Sequence, residues 1–188
     1  MNVYDFDKTI FYPDSSVTFI KWETGRHPLY LFVWLPIIAW CALLYYTGVK
    51  PKEYFKDSLF RILRRISDLD ADVAEFWDGH EHMLSRWYLE QKQDTDLIIS
   101  ASPEFLIVPI AKRLGVSCIA TKMDKRTGVI IGENCFGQEK VLRLNAERPG
   151  AEIDCFYSDS LSDAPLARLA KRAFLVTEKG TKPVPWEL

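Results

Sequence analysis

Met1-Asn2-Val3-Tyr4-Asp5-Phe6-Asp7-Lys8-Thr9 opens with a short apolar strand that runs straight into two carboxylates two positions apart. In a strand, successive side chains face opposite sides of the sheet, so Asp5 and Asp7 can reach one site only where the chain turns at the strand's end. The stretch therefore reads as a strand-to-loop junction. Two acids there can serve as nucleophile and general acid/base, or hold a divalent cation. Taken alone they read equally well as a solvated loop pair.

Apolar strands ending in polar residues recur further along. Leu97-Ile98-Ile99-Ser100-Ala101-Ser102 is one, and residues 153–157 run into Ser158-Asp159-Ser160-Leu161-Ser162-Asp163. Between them Gly137-Gln138-Glu139-Lys140 brings a lysine to the opening of a helix. Pro103 precedes an apolar helix carrying Phe105, Ile107, Val108, Ile110 and Leu114, with Gly115 as its C-cap. Residues 116–120 and 173–176 read as further strands, and 123–136, around Lys125-Arg126-Thr127-Gly128, as a hairpin. Strands alternating with helices argue for an α/β fold, a parallel sheet with its site at the carboxyl edge. The tail from 178 to 188 is too short for another domain.

Residues 14–90 read as an all-helical insertion between the first two strands, leaving 1–13 and 91–188 as the core. Asp14 or Ser15 can cap a helix over 17–23. The segment 28–49, PLYLFVWLPIIAWCALLYYTGV, has 22 residues and no charge. As one helix it would be about 33 Å long, enough for a bilayer's hydrocarbon core. Yet Asp5 precedes it while Ser100, Lys140 and Asp159 follow, and the family resemblance set out below implies that these four converge, so a single crossing would part them. The remaining readings are a segment that dips into one leaflet and returns, broken at Pro36, or a buried helical pair in the insertion or at an oligomer interface.

A helix over 51–66 then places Phe55, Leu59, Ile62, Leu63 and Ile66 on one face. Residues 50–65 hold six basic side chains (Lys50, Lys52, Lys56, Arg61, Arg64, Arg65) against two acidic, a local net of +4. Such a helix can lie at an anionic lipid surface, or be an ordinary solvated face. The sign then flips in an acidic helix from Asp68 to about Glu90, with Val73, Phe76, Trp77, Leu84 and Trp87 inward. His80 and His82 read as surface residues.

The chain has 188 residues, 48% of them hydrophobic, which suits one compact domain plus an insertion. Its formal charge of −2 lacks the basic excess expected of a nucleic-acid binder. The four cysteines, Cys41, Cys118, Cys135 and Cys155, are too scattered for a zinc knuckle or a disulfide framework, so a reducing cytoplasm is expected. The acids at positions 5 and 7 leave no room for a secretory leader there.

The four stretches together resemble, in order, the four motifs of the haloacid dehalogenase superfamily of phosphohydrolases: Asp5-Phe6-Asp7-Lys8-Thr9, Leu97 to Ser102, Gly137 to Lys140, and Tyr157 to Asp163. The resemblance implies a Rossmann-like core whose insertion after the first strand is a helical cap that chooses the substrate. It implies that Asp5 attacks a phosphomonoester to give an aspartyl phosphate, and that Asp7 is the acid/base, which favours phosphatase over dehalogenase. It further implies that Asp5, the backbone carbonyl of Asp7 and Asp159 hold Mg²⁺, with Asp163 ligating or orienting that shell. Ser100, the Ala101 amide and Lys140 are then expected to bind the phosphate.

The helical-cap subclass includes phosphoserine phosphatases and bacterial phosphatidylglycerophosphatases. Asp14 stands where the phosphoserine enzymes carry a cap glutamate, and Ser100-Ala101-Ser102 replaces their Ser-Gly-Gly. With the uncharged run and the basic stretch, this favours a lipid-linked phosphomonoester at the inner face of the cell membrane. The alternative is a soluble phosphoserine-like ester. Arg61, Arg64 and Arg65 join Asp14 as cap candidates for substrate contact.

Overall fold

The computed structural model describes residues 1–27, 29–49, 58–177 and 179–187. Its centre is a six-stranded sheet in the order β3-β2-β1-β4-β5-β6. The strands are β1 (Val3–Tyr4), β2 (Leu97–Pro103), β3 (Ser117–Thr121), β4 (Ile153–Ser158), β5 (Ala170–Thr177) and β6 (Lys182–Pro185). All neighbours pair in parallel except β5 and β6. The chain winds outward from β1 through β2 to β3, then returns to set β4 on the other side of β1. That reversal leaves a crevice at the carboxyl ends of β1, β2 and β4.

Strand alternation divides the core between the two faces. Tyr4, Ile98, Cys155 and Tyr157 belong to one buried cluster, Val3, Leu97, Ile99 and Phe156 to the other. The first face is covered by α5 (Glu104–Leu114), through Leu106, Ile107 and Ile110, and by the inserted helices. The second is covered by α6 (Gln138–Glu147), through Val141 and Leu144, and by α7 (Ala164–Ala167). α5 ends as expected at Gly115, whose φ of 72° suits the left-handed cap.

The insertion begins with α1 (Ser15–Arg26), its N-cap Asp14 accepting from the Val17 amide. Phe19 of α1, with Phe76 and Trp77 of α3 (Leu69–His80), belongs to the same cluster as Tyr4 and Ile98. Trp77 Nε1 donates to the Leu106 carbonyl at 2.8 Å, tying the insertion to α5. The acidic stretch is not one helix. Leu84 is buried and bridges Phe11, and the Ser85 amide donates to the Ile10 carbonyl at 2.8 Å, so the chain extends there before α4 (Arg86–Gln91) begins.

The uncharged run also departs from expectation. It is one helix, α2 (Leu29–Tyr46), which continues through Pro36 instead of breaking there. Eighteen residues span about 27 Å, short of the roughly 30 Å hydrocarbon thickness. Among the described residues no helix is long and apolar enough to cross a membrane. Cys41 is buried and Ile38 touches the main core, while Phe32, Trp40 and Tyr46 are 80%, 60% and 84% exposed.

Of the expected basic helix, residues 50–57 lie outside the described ones. Residues 58–60 are helical and Arg61–Arg65 form a 3-10 turn that buries Ile62 and Leu63 and exposes its three arginines. The tail holds a strand that its length did not suggest. β6 pairs antiparallel with β5, with Pro183 and Pro185 on the open edge where a missing N–H costs no ladder bond.

Candidate active site

β1 delivers Asp5 to the crevice, where its amide donates to the Tyr157 carbonyl of β4 at 2.8 Å. Gly137, at φ 55°, turns the chain into α6, which buries Lys140 beneath the same crevice. Lys140 Nζ lies 2.6 Å from Asp5 Oδ1 and 2.7 Å from Asp163 Oδ2. Ser158 Oγ donates to that same Asp163 oxygen at 2.7 Å. Thr9 Oγ1 donates to Asp5 Oδ2 at 3.2 Å and accepts from the Asp159 amide at 2.9 Å, so one hydroxyl joins the first and fourth sequence stretches.

Asp7 stands on the insertion side. Its Oδ1 accepts from the Ser15 amide at 2.6 Å, the first N–H of α1, and its Oδ2 from Ser102 Oγ at 2.5 Å. Burial pushes the Asp7 carboxyl up to about 6, Asp14's charge adds to the rise, and the bonds from Ser102 and Ser15 oppose it. Burial likewise pushes Asp5 up to about 7 against the pull of Lys140. For Lys140 burial works downward, but Asp5 and Asp163 outweigh it and hold the ammonium charged. Burial also raises Asp159, with Lys8 opposing.

A cavity of about 330 Å³ opens above these groups. Asp5, Asp7, Asp14, Ala101, Lys140, Asp159 and Asp163, all singled out in the sequence, line it. Ser100 does not. Its hydroxyl is fully buried and accepts from the Ser102 amide at 3.0 Å. Arg61, Arg64 and Arg65 are absent from the lining as well. Residues to which the sequence reading gave no catalytic or binding role take their place: Lys8, Ser16, Ser102 and Asn134 are polar, while Val17, Ile20, Leu59, Phe60 and Phe136 make an apolar wall. Thr9 and Ser102 lie inside the quoted stretches, so their positions were the available signal. The wall residues come from three separate segments and carried none.

The donor set suits a hard divalent cation. Carboxylates of Asp5, Asp159 and Asp163 share the cavity, and Asp163 Oδ1 is buried with no partner among the described residues. No group of three or more His, Cys, Asp or Glu side chains is assembled as a cage among the described residues. Mg²⁺ takes one or two carboxylates and fills its octahedron with other oxygens, a donor set that Asp5, Asp159 and Asp163 can supply.

Residues 3–168 match the family model of the haloacid dehalogenase-like hydrolases. The chain belongs to that family. Among curated proteins this hydrolase is 27% identical to protein CicA of Caulobacter vibrioides over 186 residues, 89% of this chain and 81% of that one. It is 32% identical to a histidinol-phosphatase of Neisseria meningitidis over 136 residues, 61% of each. Among solved structures, a protein of unknown function from Bordetella pertussis superposes with a TM-score of 0.72 at 26% identity, covering 92% of this chain and 87% of that one. Family, fold and site together describe a hydrolase of phosphate esters, a phosphatase.

Proposed function

We propose that this hydrolase cleaves a lipid-linked phosphomonoester, such as phosphatidylglycerophosphate, at the inner surface of the cell membrane through an aspartyl phosphate on Asp5. The observation that carries the chemistry is the buried lysine held between Asp5 and Asp163 under one cavity. Lys140 and the Ala101 amide neutralise the non-bridging oxygens, with Ser100 supporting that loop from below. Asp5 attacks phosphorus as the bond to the leaving oxygen breaks, and Asp7 gives its proton to that oxygen. Asp7 then takes a proton from water, which attacks the same phosphorus, releasing inorganic phosphate and the Asp5 carboxylate. Asp5, the Asp7 carbonyl and Asp159 are the residues to hold Mg²⁺, with Asp163 ligating or orienting that shell. When bound, the ion supplies the positive charge that offsets repulsion between carboxylate and phosphate.

The lipid half of the proposal rests on α2, whose Phe32, Trp40 and Tyr46 are exposed, and on the sequence that follows it, which is rich in arginine and lysine. A soluble ester is the second reading, favoured by the likeness to a histidinol-phosphatase. In that case α2 serves as a contact between copies of the chain.

The test is inorganic phosphate release by wild type and Asp5→Asn, with Mg²⁺ or EDTA. The substrates are phosphatidylglycerophosphate in mixed micelles, phosphoserine and histidinol phosphate. Turnover of the lipid, abolished by the substitution and by EDTA, supports the proposal. Release from the soluble esters alone keeps the chemistry and removes the lipid.

A further inference from the structure

Ser102 sits at a break in β2. The register of that strand against β3 slips between Ile99 and Pro103, and such irregularities re-aim side chains beside active sites. Two bonds fix the break: the Ser102 amide donates to Ser100 Oγ at 3.0 Å, and Thr121 Oγ1 donates to the Ala101 carbonyl at 2.8 Å. The outcome is that the Ser102 hydroxyl, only 4% exposed by residue, points across the crevice to Asp7 Oδ2.

Behind it stand two more hydroxyls. Ser16 Oγ lies 2.8 Å from Ser102 Oγ, and Ser15 Oγ donates to it at 3.4 Å. Ser102 belongs to the sheet, Ser15 and Ser16 to the first turn of α1. Asp7 is thus held on one oxygen by the sheet and on the other by the inserted helix.

We propose that Ser102 is the positioning residue for Asp7, and that Ser16 makes the position of that carboxyl depend on how α1 is seated. The proposal rests on the reading of Asp7 as acid/base. A carboxyl on a single Cβ can turn about two bonds, and one hydrogen bond on each oxygen fixes both. A hydroxyl also donates and accepts. Ser102 can therefore donate to the carboxylate while accepting from Ser16, and accept from the acid form while donating to Ser16. An amide N–H could serve only the first. Misplacing a reacting group by about 1 Å costs on the order of 10²-fold, so loss of this tether is read in rate before it is read in folding.

The experiment compares S102A, S102T, S16A and D7N by kcat/KM on two probes, phosphatidylglycerophosphate in mixed micelles or phosphoserine, whichever turns over, and p-nitrophenyl phosphate. The parameter reports events up to the first irreversible step. A nitrophenolate leaves without a proton, an alkoxide does not.

S102A is expected to lose about 10- to 100-fold on the alkyl ester, carried by kcat, and less than about 3-fold on the aryl ester. S102T, which keeps the hydroxyl, recovers most of that loss. S16A shows the same selectivity at smaller size, and being less buried it serves if S102A folds poorly. Equal losses on the two probes would make Ser102 merely structural, and wild-type rates on both would remove its role. Either result overturns the proposal while D7N remains impaired. Full activity of D7N on the alkyl ester would instead overturn the acid/base reading beneath it.

Discussion

The floor of the crevice and helix α2 are opposite solutions to the problem of surface. Around Asp5 the chain supplies the partners itself, the Thr9 hydroxyl from the same stretch and the Lys140 ammonium from far along the chain, which also pairs with Asp163. Along α2 the chain supplies apolar side chains that it does not cover. A helix apolar on every face is normally buried, yet Phe32, Leu35, Trp40, Leu43 and Tyr46 are each more than half exposed. The contrast separates groups that the fold pairs from groups that it leaves exposed. Substitutions should therefore act on stability and rate in the first region, and on association in the second.

Lys140→Met should break the first region hardest. The ammonium is 2% exposed and faces two carboxylates, so its removal leaves buried charge without a counter-charge. Breaking a buried pair from one side costs about 3–5 kcal/mol, and losing one stabilising contact to the reacting oxygens costs about 10²- to 10³-fold in rate. Denaturant unfolding and phosphate release measure the two losses. A variant that unfolds like wild type would show that the lysine serves chemistry alone.

Asp7→Asn should act in the other direction on stability. Burial holds the Asp7 carboxyl at about 6, above the usual carboxylate range near 4. Between those values the folded chain keeps a proton that the unfolded chain has released, so stability falls as pH rises through the window and the full cost is present above it. Asparagine does not titrate. In EDTA the variant should match wild type near pH 4 and exceed it above about pH 6.5, by on the order of 2 kcal/mol, while losing about 10²- to 10⁴-fold in activity. A constant gap across that range would mean that the carboxyl does not titrate there.

The parts of the first region that could be read from sequence were those in which side-chain chemistry and chain position coincide. Asp5, Lys140 and Asp159 stand at strand ends or a helix start, and the sheet brings them together wherever the intervening loops go. Strands alternating with helices likewise pointed to a parallel sheet with its site at the carboxyl edge. Ser102 was given no catalytic or binding role because its part depends on a register slip, which no periodicity records. β6 was missed because Lys182-Pro183-Val184-Pro185 lacks strand character and pairs only at an edge. The acidic helix was read as unbroken because the residue that interrupts it, Leu84, is apolar and in phase. Only its pairing with Phe11 takes it out of the helix. Length and lack of charge suggested a membrane span for α2, and keeping the site residues on one side suggested a break at Pro36 as one alternative, where the helix runs on.

Gly128→Ala tests a join between core and insertion. Gly128 has φ 71°, and a Cβ there would fall 2.1 Å from the Phe60 carbonyl oxygen. Phe60 lines the cavity, so the turn around Gly128 presses directly on its wall. An alanine must both adopt a left-handed backbone, at about 1–2 kcal/mol, and displace the Phe60 backbone, at about 1–3 kcal/mol more. The expected outcome is a lower melting temperature with a raised KM and a largely preserved kcat. Lys125→Ala, which removes the exposed pair with Asp70 at 2.5 Å, should change stability by less than about 1 kcal/mol. The comparison distinguishes backbone contact from surface charge at the same turn.

The smallest effect on folding should come from the region with the most apolar side chains. Phe32→Ser, Trp40→Ser and Tyr46→Ser replace groups that already face water, so together they should move the unfolding midpoint little, each within about 0.5 kcal/mol. Their effect should appear in association. Sedimentation with vesicles of phosphatidylglycerol and phosphatidylethanolamine should weaken markedly in the triple variant, because each exposed aromatic is worth about 1–3 kcal/mol when it leaves water. Rates on phosphoserine should not change. If the triple variant instead loses stability in dilute solution and shifts from a larger species to a monomer, α2 is an interface between copies. The apolar helix would then belong, like Lys140, to the groups that the protein satisfies with its own chain.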